Sequence, residues 1–231
     1  MGTGAVASRA WHATITVLVL VALALQVVVA VRVSGAPPQT TAGLLRGASL
    51  PGRIIRVLSF FTIQSNVLIG VAAASLALNP AQDGRVWRPL RLTSLVGITV
   101  TGIVYSTVLA KVHQPNGTAE TVVNTLVHYV VPIMAVLGWL LYGPRPRVGR
   151  ADVVKSLVFP AAWMAYTLVR GAIWHWYPYP FVDVVTHGYL TVAVNAVLVL
   201  IVLSAVAALI AYGDRHLPPR SARASSTPAV A

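Results

Sequence analysis

Apolar residues of this 231-residue chain cluster in six long segments, separated by stretches that hold most of its charged, glycine and proline residues. Each segment reaches the roughly 20 residues that a tilted helix needs to cross a hydrocarbon core of ~30 Å. The pattern predicts an all-α, polytopic membrane protein, a bundle of six transmembrane helices. The predicted helices span about 11–33, 53–78, 90–112, 121–142, 155–174 and 184–212.

The two ends of the chain are predicted to lie outside this bundle. Residues 1–10 are expected to form an N-terminal tail, and residues 213–231, rich in Pro, Ser and Ala, a disordered C-terminal tail. Ser34-Gly35-Ala36 resembles a signal-peptide cleavage site. The apolar run before it is long and five more spans follow, so we expect the first segment to be a membrane helix.

Basic residues predict the orientation of the bundle. Of the 17 Lys and Arg residues, most fall on the side of the two termini, which places both termini in the cytoplasm by the positive-inside rule. Arg53 and Arg56 oppose this assignment, because they stand together on the predicted outer side. The other basic residues on that side are Arg32, Arg46, Lys111 and Arg170.

The overall composition excludes several classes of protein and site. With 57% hydrophobic and 10% charged residues, the chain is not a soluble domain. It has no cysteine, which excludes disulfides, cysteine metal sites and thiol nucleophiles. A net charge of +12 suits nucleic acid, but in a membrane protein basic residues more often set topology and contact anionic lipid. We therefore expect membrane lipids as partners, no nucleic acid, and neither a metal nor a cofactor; an oligomeric state is not predicted.

The second apolar segment carries a stripe of polar residues within an arc of roughly 120° on a helix, at about 100° per residue. A stripe of this kind is expected to face protein or water, because lipid cannot satisfy its hydrogen bonds. The alternative is that small hydroxyl residues join neighbouring helices. The stripe consists of Ser59, Thr62, Ser65 and Asn66.

The fourth apolar segment carries a second polar stripe, which ends in a histidine. Pro132 follows His128 by four residues, so the His128 carbonyl loses its usual helical donor and a local bend is expected. A histidine beside a break in a membrane helix is typical of functional sites. The alternative is a core histidine that bonds an Asn or Thr on a neighbouring helix. The stripe consists of Thr121, Asn124, Thr125 and His128.

The depths of Thr62 and His128 match. Thr62 lies about 13 Å from Arg53 along its helix, and His128 about 10 Å from Thr121, at 1.5 Å per residue. Both segments run in the same direction from the outer side. The two side chains are therefore predicted to share one level in the outer half of the bilayer.

Other polar and aromatic residues near the outer side have less specific interpretations. Asp183 can orient His187 as a second-choice base, or serve as a helix N-terminal carboxylate, which is the favoured interpretation. Arg170 can reach the headgroup region or bind a carboxylate. The aromatic stretch 174–182 is predicted to be an interfacial belt. Residues 34–52 form a flexible connection able to cover a site, and His113 and His175 are expected to be solvated.

The pattern Phe61-Thr62-x-x-Ser65-Asn66 with His128 and six spans resembles the androgen-induced six-helix membrane proteins and their bacterial relatives. The eukaryotic members look like intramembrane hydrolases of fatty acid esters of hydroxy fatty acids, with a threonine nucleophile and a histidine. The resemblance covers about 11–212 and implies Thr62 as nucleophile and His128 as base. Short connections and the 174–182 segment fit the bacterial branch. The resemblance implies a lipid-ester hydrolase in a bacterial-type plasma membrane.

The implied chemistry is physically coherent. A threonine hydroxyl needs a base to remove its proton during attack, and neutral imidazole serves near pH 7. Asn66 and Ser65 are the expected donors to the oxyanion, with Ser59 and Asn124 as further support. One alternative is a lipid or small-solute binder or transporter, with Pro132 in a moving helix. Another is a haem or quinone protein that pairs His128 with His187 or His113.

Overall fold

The computed structural model describes residues 3–33 and 35–219, which contain helices and connections but no strands. Six helices in this part of the chain are long and apolar enough to cross a membrane, which confirms the predicted all-α six-helix bundle. They are Thr3–Val31, Phe61–Leu78, Trp87–Lys111, Gly117–Tyr142, Arg150–Trp174 and Val184–His216. Residues 220–231 of the tail that was predicted to be disordered lie outside the described residues.

The individual α-helices divide some of these spans and add two short elements between the first two. They are α1 (Thr3–Val31), α2 (Thr41–Leu45), α3 (Leu50–Ser59), α4 (Phe61–Leu78), α5 (Trp87–Thr107), α6 (Gly117–Thr125), α7 (Val131–Tyr142), α8 (Arg150–Ser156), α9 (Val158–Trp174) and α10 (Val184–His216). A π-helical turn, Leu126–Val130, joins α6 to α7. The connections 32–60, 108–116 and 175–183 gather at one end of the bundle, which we call the lid end.

The first helix packs along α4, and α4 packs along α5, which also contacts α7, α8 and α10. One buried cluster fills the middle of this arrangement, including Ile15, Val96, Ile98, Val131 and Ala207. A second cluster lies toward the lid end and includes Val29, Leu45, Ile63, Trp163 and Val182. The site described below lies beside this second cluster.

The ends of the first and last helices differ from their predicted bounds. The helix α1 begins at Thr3, so residues 3–10 are helical rather than a tail, and α10 continues to His216. Ser8 and His12 are buried, which shows that the start of α1 packs against the bundle. The connection 34–52, predicted to be flexible, contains α2 and the start of α3.

The predicted single helix over 53–78 is wrong, because the chain breaks at Phe60. Phe60 has extended backbone angles (φ −69°, ψ 129°), so α3 ends at Ser59 and α4 starts at Phe61. At the break the Ser59 carbonyl accepts a hydrogen bond from outside the helix, from the Trp163 Nε1–H at 2.9 Å. The break leaves the first N–H groups of α4 free for other acceptors, beside Thr62.

The predicted local break near His128 takes the form of the π-helical turn. The Val131 N–H donates to the Leu126 carbonyl, five residues back, which accommodates one extra residue before Pro132. Gly102 of α5 lies against this turn: a Cβ there would stand 3.3 Å from the His128 carbonyl oxygen. The turn is therefore packed closely against α5, and it sets the direction in which His128 leaves the helix.

Candidate active site

Thr62 and His128 meet inside the bundle. Thr62 stands in the first turn of α4 and is 7% exposed, and His128 stands in the π-helical turn. The Thr62 Oγ1 lies 3.4 Å from the His128 Nε2, within reach of a hydrogen bond. The structure thus brings together the two side chains that the polar stripes predicted at one level.

Asn124 fixes the protonation of the His128 ring. The His128 Nδ1 lies 2.9 Å from the Asn124 Oδ1 and 3.2 Å from the Asn124 backbone carbonyl oxygen. A carbonyl oxygen only accepts, so Nδ1 carries the proton and donates it. The Nε2 of the neutral ring therefore has its lone pair free toward the Thr62 hydroxyl.

Tyr105 of α5 holds the plane of the His128 ring. The two rings stack with centroids 3.7 Å apart and an interplanar angle of 16°. The Tyr105 hydroxyl lies 3.1 Å from the His113 Nδ1, and the Thr41 Oγ1 lies 2.9 Å from the His113 Nε2. His113, predicted to be solvated, is instead half-buried and links α2 to α5, and its burial lowers its pKa.

Tyr179 is a third member of the site, which the sequence did not indicate. Its Oη lies 3.1 Å from the Thr62 Oγ1 and accepts the Thr62 backbone N–H at 3.1 Å. The residue is 9% exposed, and burial raises its pKa, so the phenol keeps its proton at neutral pH. Tyr179 belongs to the stretch 174–182 that is predicted to be an interfacial belt, but its side chain is buried at the site rather than exposed at an interface.

The return of the chain after α9 delivers Tyr179. His175 ends α9 in the left-handed conformation (φ 51°), which reverses the chain. Tyr177 then lies on Gly171, where an added Cβ would stand 2.0 Å from the Tyr177 Cε1. Tyr179 next packs against Phe60, with ring centroids 5.6 Å apart. The only local sequence signal for Tyr179 is its position between two prolines. The prolines predict the end of a helix, but they do not predict which part of the fold Tyr179 contacts.

Asn66 and Ser65 do not face the Thr62 hydroxyl, so their predicted role as oxyanion donors is wrong. The Asn66 amide donates to the Thr62 carbonyl at 2.8 Å and to the Val127 carbonyl at 3.2 Å, which uses both of its hydrogens. The Ser65 Oγ is buried against Gly97, where a Cβ would stand 2.9 Å from it. Asn66 instead ties α4 to the π-helical turn and so positions Thr62 and His128.

The remaining predicted site residues lie elsewhere. The Ser59 Oγ donates to the Ile55 carbonyl at 2.6 Å and also contacts the Tyr166 hydroxyl. Asp183 caps α10, accepting the Val185 N–H at 2.9 Å, and His187 is exposed. The helix-capping interpretation of Asp183 is therefore confirmed, and His187 is not placed to act as a base at Thr62. Arg170 contacts aromatic rings rather than a carboxylate.

Two cavities meet at Thr62 and Tyr179. The first, of about 430 Å³, is almost wholly apolar and lies among α5, α9 and α10; its lining includes Val104, Pro160, Met164, Phe181 and Leu200. The second, of about 400 Å³, lies beneath α2 and is also mainly apolar; the polar side chains that reach its wall are Gln26, Gln39, Thr41, His113, Asn124 and His128. Thr62 thus lies between two mainly apolar chambers, of which the second has more polar side chains in its wall.

The described residues contain no group of three or more His, Asp or Glu side chains placed to hold a metal ion. The chemistry available at this site is that of a hydroxyl, an imidazole and a phenol in an apolar surrounding. Comparison of the chain with protein-family models, with curated proteins and with solved structures finds no match, so the geometry of these three groups is the basis for a function.

Proposed function

We propose that this protein is an intramembrane hydrolase of a lipid ester, in which Thr62 is the nucleophile and His128 the general base. The observation that carries the proposal is the 3.4 Å approach of the Thr62 Oγ1 to the His128 Nε2. The ring nitrogen on that side is unprotonated, because Nδ1 donates to Asn124. A hydroxyl beside a neutral imidazole is the arrangement that activates an alcohol for acyl transfer.

The first half-reaction forms an acyl-enzyme. The Thr62 Oγ1 attacks the ester carbonyl carbon while its proton passes to the His128 Nε2. When the tetrahedral intermediate collapses, the bond to the alcohol oxygen breaks, and the protonated imidazole gives its proton to that oxygen. The products are the free alcohol and an ester of the acyl chain with Thr62.

The second half-reaction uses water. His128 takes a proton from the attacking water, a second tetrahedral intermediate forms, and its collapse breaks the bond between the acyl carbon and the Thr62 Oγ1. The imidazole returns the proton to Thr62, and a fatty acid is released. One histidine serves both halves, because each half returns it to the neutral form.

Tyr179 is the group best placed to stabilise the oxyanion. The Tyr179 hydroxyl lies 3.1 Å from the Thr62 Oγ1 and keeps its proton, so it can donate to an oxygen bound next to the nucleophile. The Thr62 N–H donates to the same hydroxyl and so holds the phenol at the positive end of α4. Donors fixed in an apolar site stabilise developing negative charge more than they do in water.

The two cavities support a lipid ester as the substrate class. Both cavities are mainly apolar, which suits a lipid. The one of about 430 Å³ suits an acyl chain, and the one of about 400 Å³, which has polar side chains in its wall, suits the alcohol portion. The ester group of such a molecule would lie at Thr62, where the cavities meet. A bacterial-type plasma membrane, with both termini in the cytoplasm, is part of the same proposal.

Labelling with a fluorophosphonate probe tests the assignment on the purified full-length protein. We expect Thr62→Ala and His128→Ala each to abolish labelling and Thr62→Ser to retain it. Thr125→Ala is the matched control, because the Thr125 hydroxyl bonds only within its own helix, to the Thr121 carbonyl. Labelling of Thr62→Ala at the wild-type level would reject Thr62 as the nucleophile.

A lipid or small-solute binder or transporter is the second candidate, which is favoured by the π-helical turn in the wall of the second cavity. In that case Thr62 only lines the walls of the two cavities, and α6 and α7 move relative to each other about the π-helical turn. Uptake of a solute into liposomes that persists in Thr62→Ala, together with absent probe labelling, would favour this candidate over hydrolysis.

A further inference from the structure

Two arginines at the lid end converge on one indole ring. The Arg56 guanidinium carbon lies 5.2 Å from the Trp176 ring centroid, and that of Arg170 lies 4.8 Å from it. Arg170 is only 8% exposed, and its guanidinium also lies 5.7 Å from the Trp174 ring. Arg56 is half-buried. The three residues come from α3, the end of α9 and the segment that follows α9.

Backbone contacts hold this cluster in place. The Arg56 Nη1 donates to the Arg46 carbonyl at 2.8 Å and contacts the Leu44 carbonyl at 3.4 Å. The Trp176 Nε1–H donates to the same Leu44 carbonyl at 3.1 Å. The left-handed turn at His175 brings Trp176 back beside Arg170. The arginines are therefore positioned by the fold and do not extend freely into water.

No acidic side chain of the chain neutralises these two cations. All five acidic residues are described, and each has other partners. Asp83 pairs with Arg88 and Arg147; Glu120, Asp152, Asp183 and Asp214 accept backbone N–H groups. In the described residues Arg170 has neither an ion pair nor a hydrogen bond from its side chain, and its contacts are the two indole rings.

Holding two cations together in a partly buried place is unfavourable without an anion. Burial and the neighbouring charge of Arg170 both lower the pKa of Arg56, in keeping with an uncompensated pair. The planar guanidinium presents its N–H groups in a fork that matches the oxygens of a phosphate. In the described residues the N–H groups of Arg170 have no protein acceptor, so these are the donors left for such a ligand.

We propose that Arg56, Arg170 and Trp176 form a binding site for the phosphate of an anionic lipid headgroup. A lipid is favoured over free phosphate because Ile173 and Trp174, one turn from Arg170, are 59% and 64% exposed at the end of a membrane helix. Apolar and indole surface at that depth faces the acyl chains and headgroups of a bilayer. The site does not depend on ester hydrolysis at Thr62.

Native mass spectrometry of the full-length protein with phosphatidylglycerol tests the site. We expect Arg170→Gln and Arg56→Gln each to weaken phosphatidylglycerol binding about tenfold, the usual effect of losing a charge-assisted hydrogen bond. Arg32→Gln, which removes an exposed charge at the same end, is the matched control and should bind like the wild type. Wild-type affinity in both Arg56→Gln and Arg170→Gln would overturn the proposal.

Two further arms separate the sources of the phosphate. Phosphatidylcholine has the same phosphate beside a choline cation that the two arginines repel, so it should bind more weakly than phosphatidylglycerol and lose less affinity in Arg56→Gln. Equal binding of the two lipids to the wild type would overturn the preference for an anionic headgroup. Inorganic phosphate alone should not displace phosphatidylglycerol; displacement at comparable concentration would overturn the lipid assignment in favour of a free-phosphate site. If Arg170→Gln does not fold, Arg56→Gln decides the result. Arg56 is only half-buried and lies on the short helix α3, so its replacement is expected to disturb the fold less.

Discussion

The phenol oxygen of Tyr179 lies 3.1 Å from the Thr62 Oγ1, although the two residues are separated by 117 positions in the chain. The same oxygen accepts the Thr62 N–H, so Tyr179 caps the start of α4. One side chain therefore does two things: it completes the hydrogen bonding of the helix that carries Thr62, the proposed nucleophile, and it places an O–H donor beside the Thr62 hydroxyl. This relationship makes Tyr179 the first residue to test after Thr62 and His128.

Tyr179→Phe is expected to lower the rate of probe labelling and ester hydrolysis about 10²-fold, the usual effect of removing one oxyanion donor. The ring contacts remain, but the buried Thr62 N–H loses its acceptor, so we also expect a loss of stability of about 1–3 kcal/mol. Tyr166→Phe is the matched control, because its hydroxyl contacts Ser59 rather than Thr62. Hydrolysis by Tyr179→Phe at the wild-type rate would exclude the phenol as an oxyanion donor.

Asn124→Ala is expected to reduce the rate about tenfold, because the His128 ring loses the side-chain acceptor of its Nδ1–H. The backbone carbonyl of residue 124 still accepts that proton, so activity should fall without vanishing. Thr125→Ala, on the same helix, serves as the control in the same kinetic assay. An unchanged rate would mean that the backbone carbonyl and the Tyr105 stacking are sufficient to orient the ring.

The part of the site that the sequence predicts is the part that local patterns determine. Helix periodicity places Thr62 and His128 on polar faces, and counting residues along each helix gives their common depth. The proline at 132 predicts a local break, which the structure has as a π-helical turn. The six-helix architecture is confirmed for the same reason, since apolar length is a local property.

The part that the sequence does not predict depends on contacts between distant segments. The predicted polar stripe assumes an unbroken helix, but the break at Phe60 separates Ser59 from the rest of the stripe. The Ser59 carbonyl is hydrogen-bonded by Trp163, about 100 residues away. Tyr179 reaches Thr62 because His175 adopts a left-handed conformation and Gly171 leaves room for Tyr177. None of these contacts has a periodic signal in the sequence.

Gly171→Ala tests how the chain is returned to the site. An added Cβ would stand 2.0 Å from the Tyr177 ring, so the segment that carries Tyr179 must shift. We expect a loss of stability of about 1–3 kcal/mol, as for other overpacked sites, and a lower labelling rate. Gly4→Ala is the matched control: it is also helical, nothing lies within 4 Å of its added Cβ, and labelling should be unchanged. A Gly171→Ala variant with wild-type Tm and labelling would show that the close approach is unimportant.

His113 is expected to make stability depend on pH. Burial lowers its pKa below the ordinary value of 6.5, with Glu120 partly opposing this, so the unfolded chain binds the proton more tightly than the folded chain. The free energy of unfolding therefore falls as the pH drops from 7 through 6.5, until it passes below the folded-state pKa. His113→Gln removes this contribution. We expect the Tm of the wild type to fall more steeply between pH 7 and 5 than that of His113→Gln; equal slopes would contradict the lowered pKa.

The orientation of the bundle can be measured directly, because the chain has no cysteine and any introduced one is unique. Gln114→Cys places an exposed thiol at the lid end, and Ala81→Cys places one at the opposite end, between α4 and α5. If the termini are cytoplasmic, a membrane-impermeant maleimide added to intact cells should label Gln114→Cys, and should label Ala81→Cys only after the membrane is permeabilised. The reverse pattern would mean that Arg53 and Arg56 mark the cytoplasmic side. The hydrolase site would then lie in the inner half of the bilayer, and the arginine and tryptophan cluster would face the inner leaflet, where anionic lipids are concentrated.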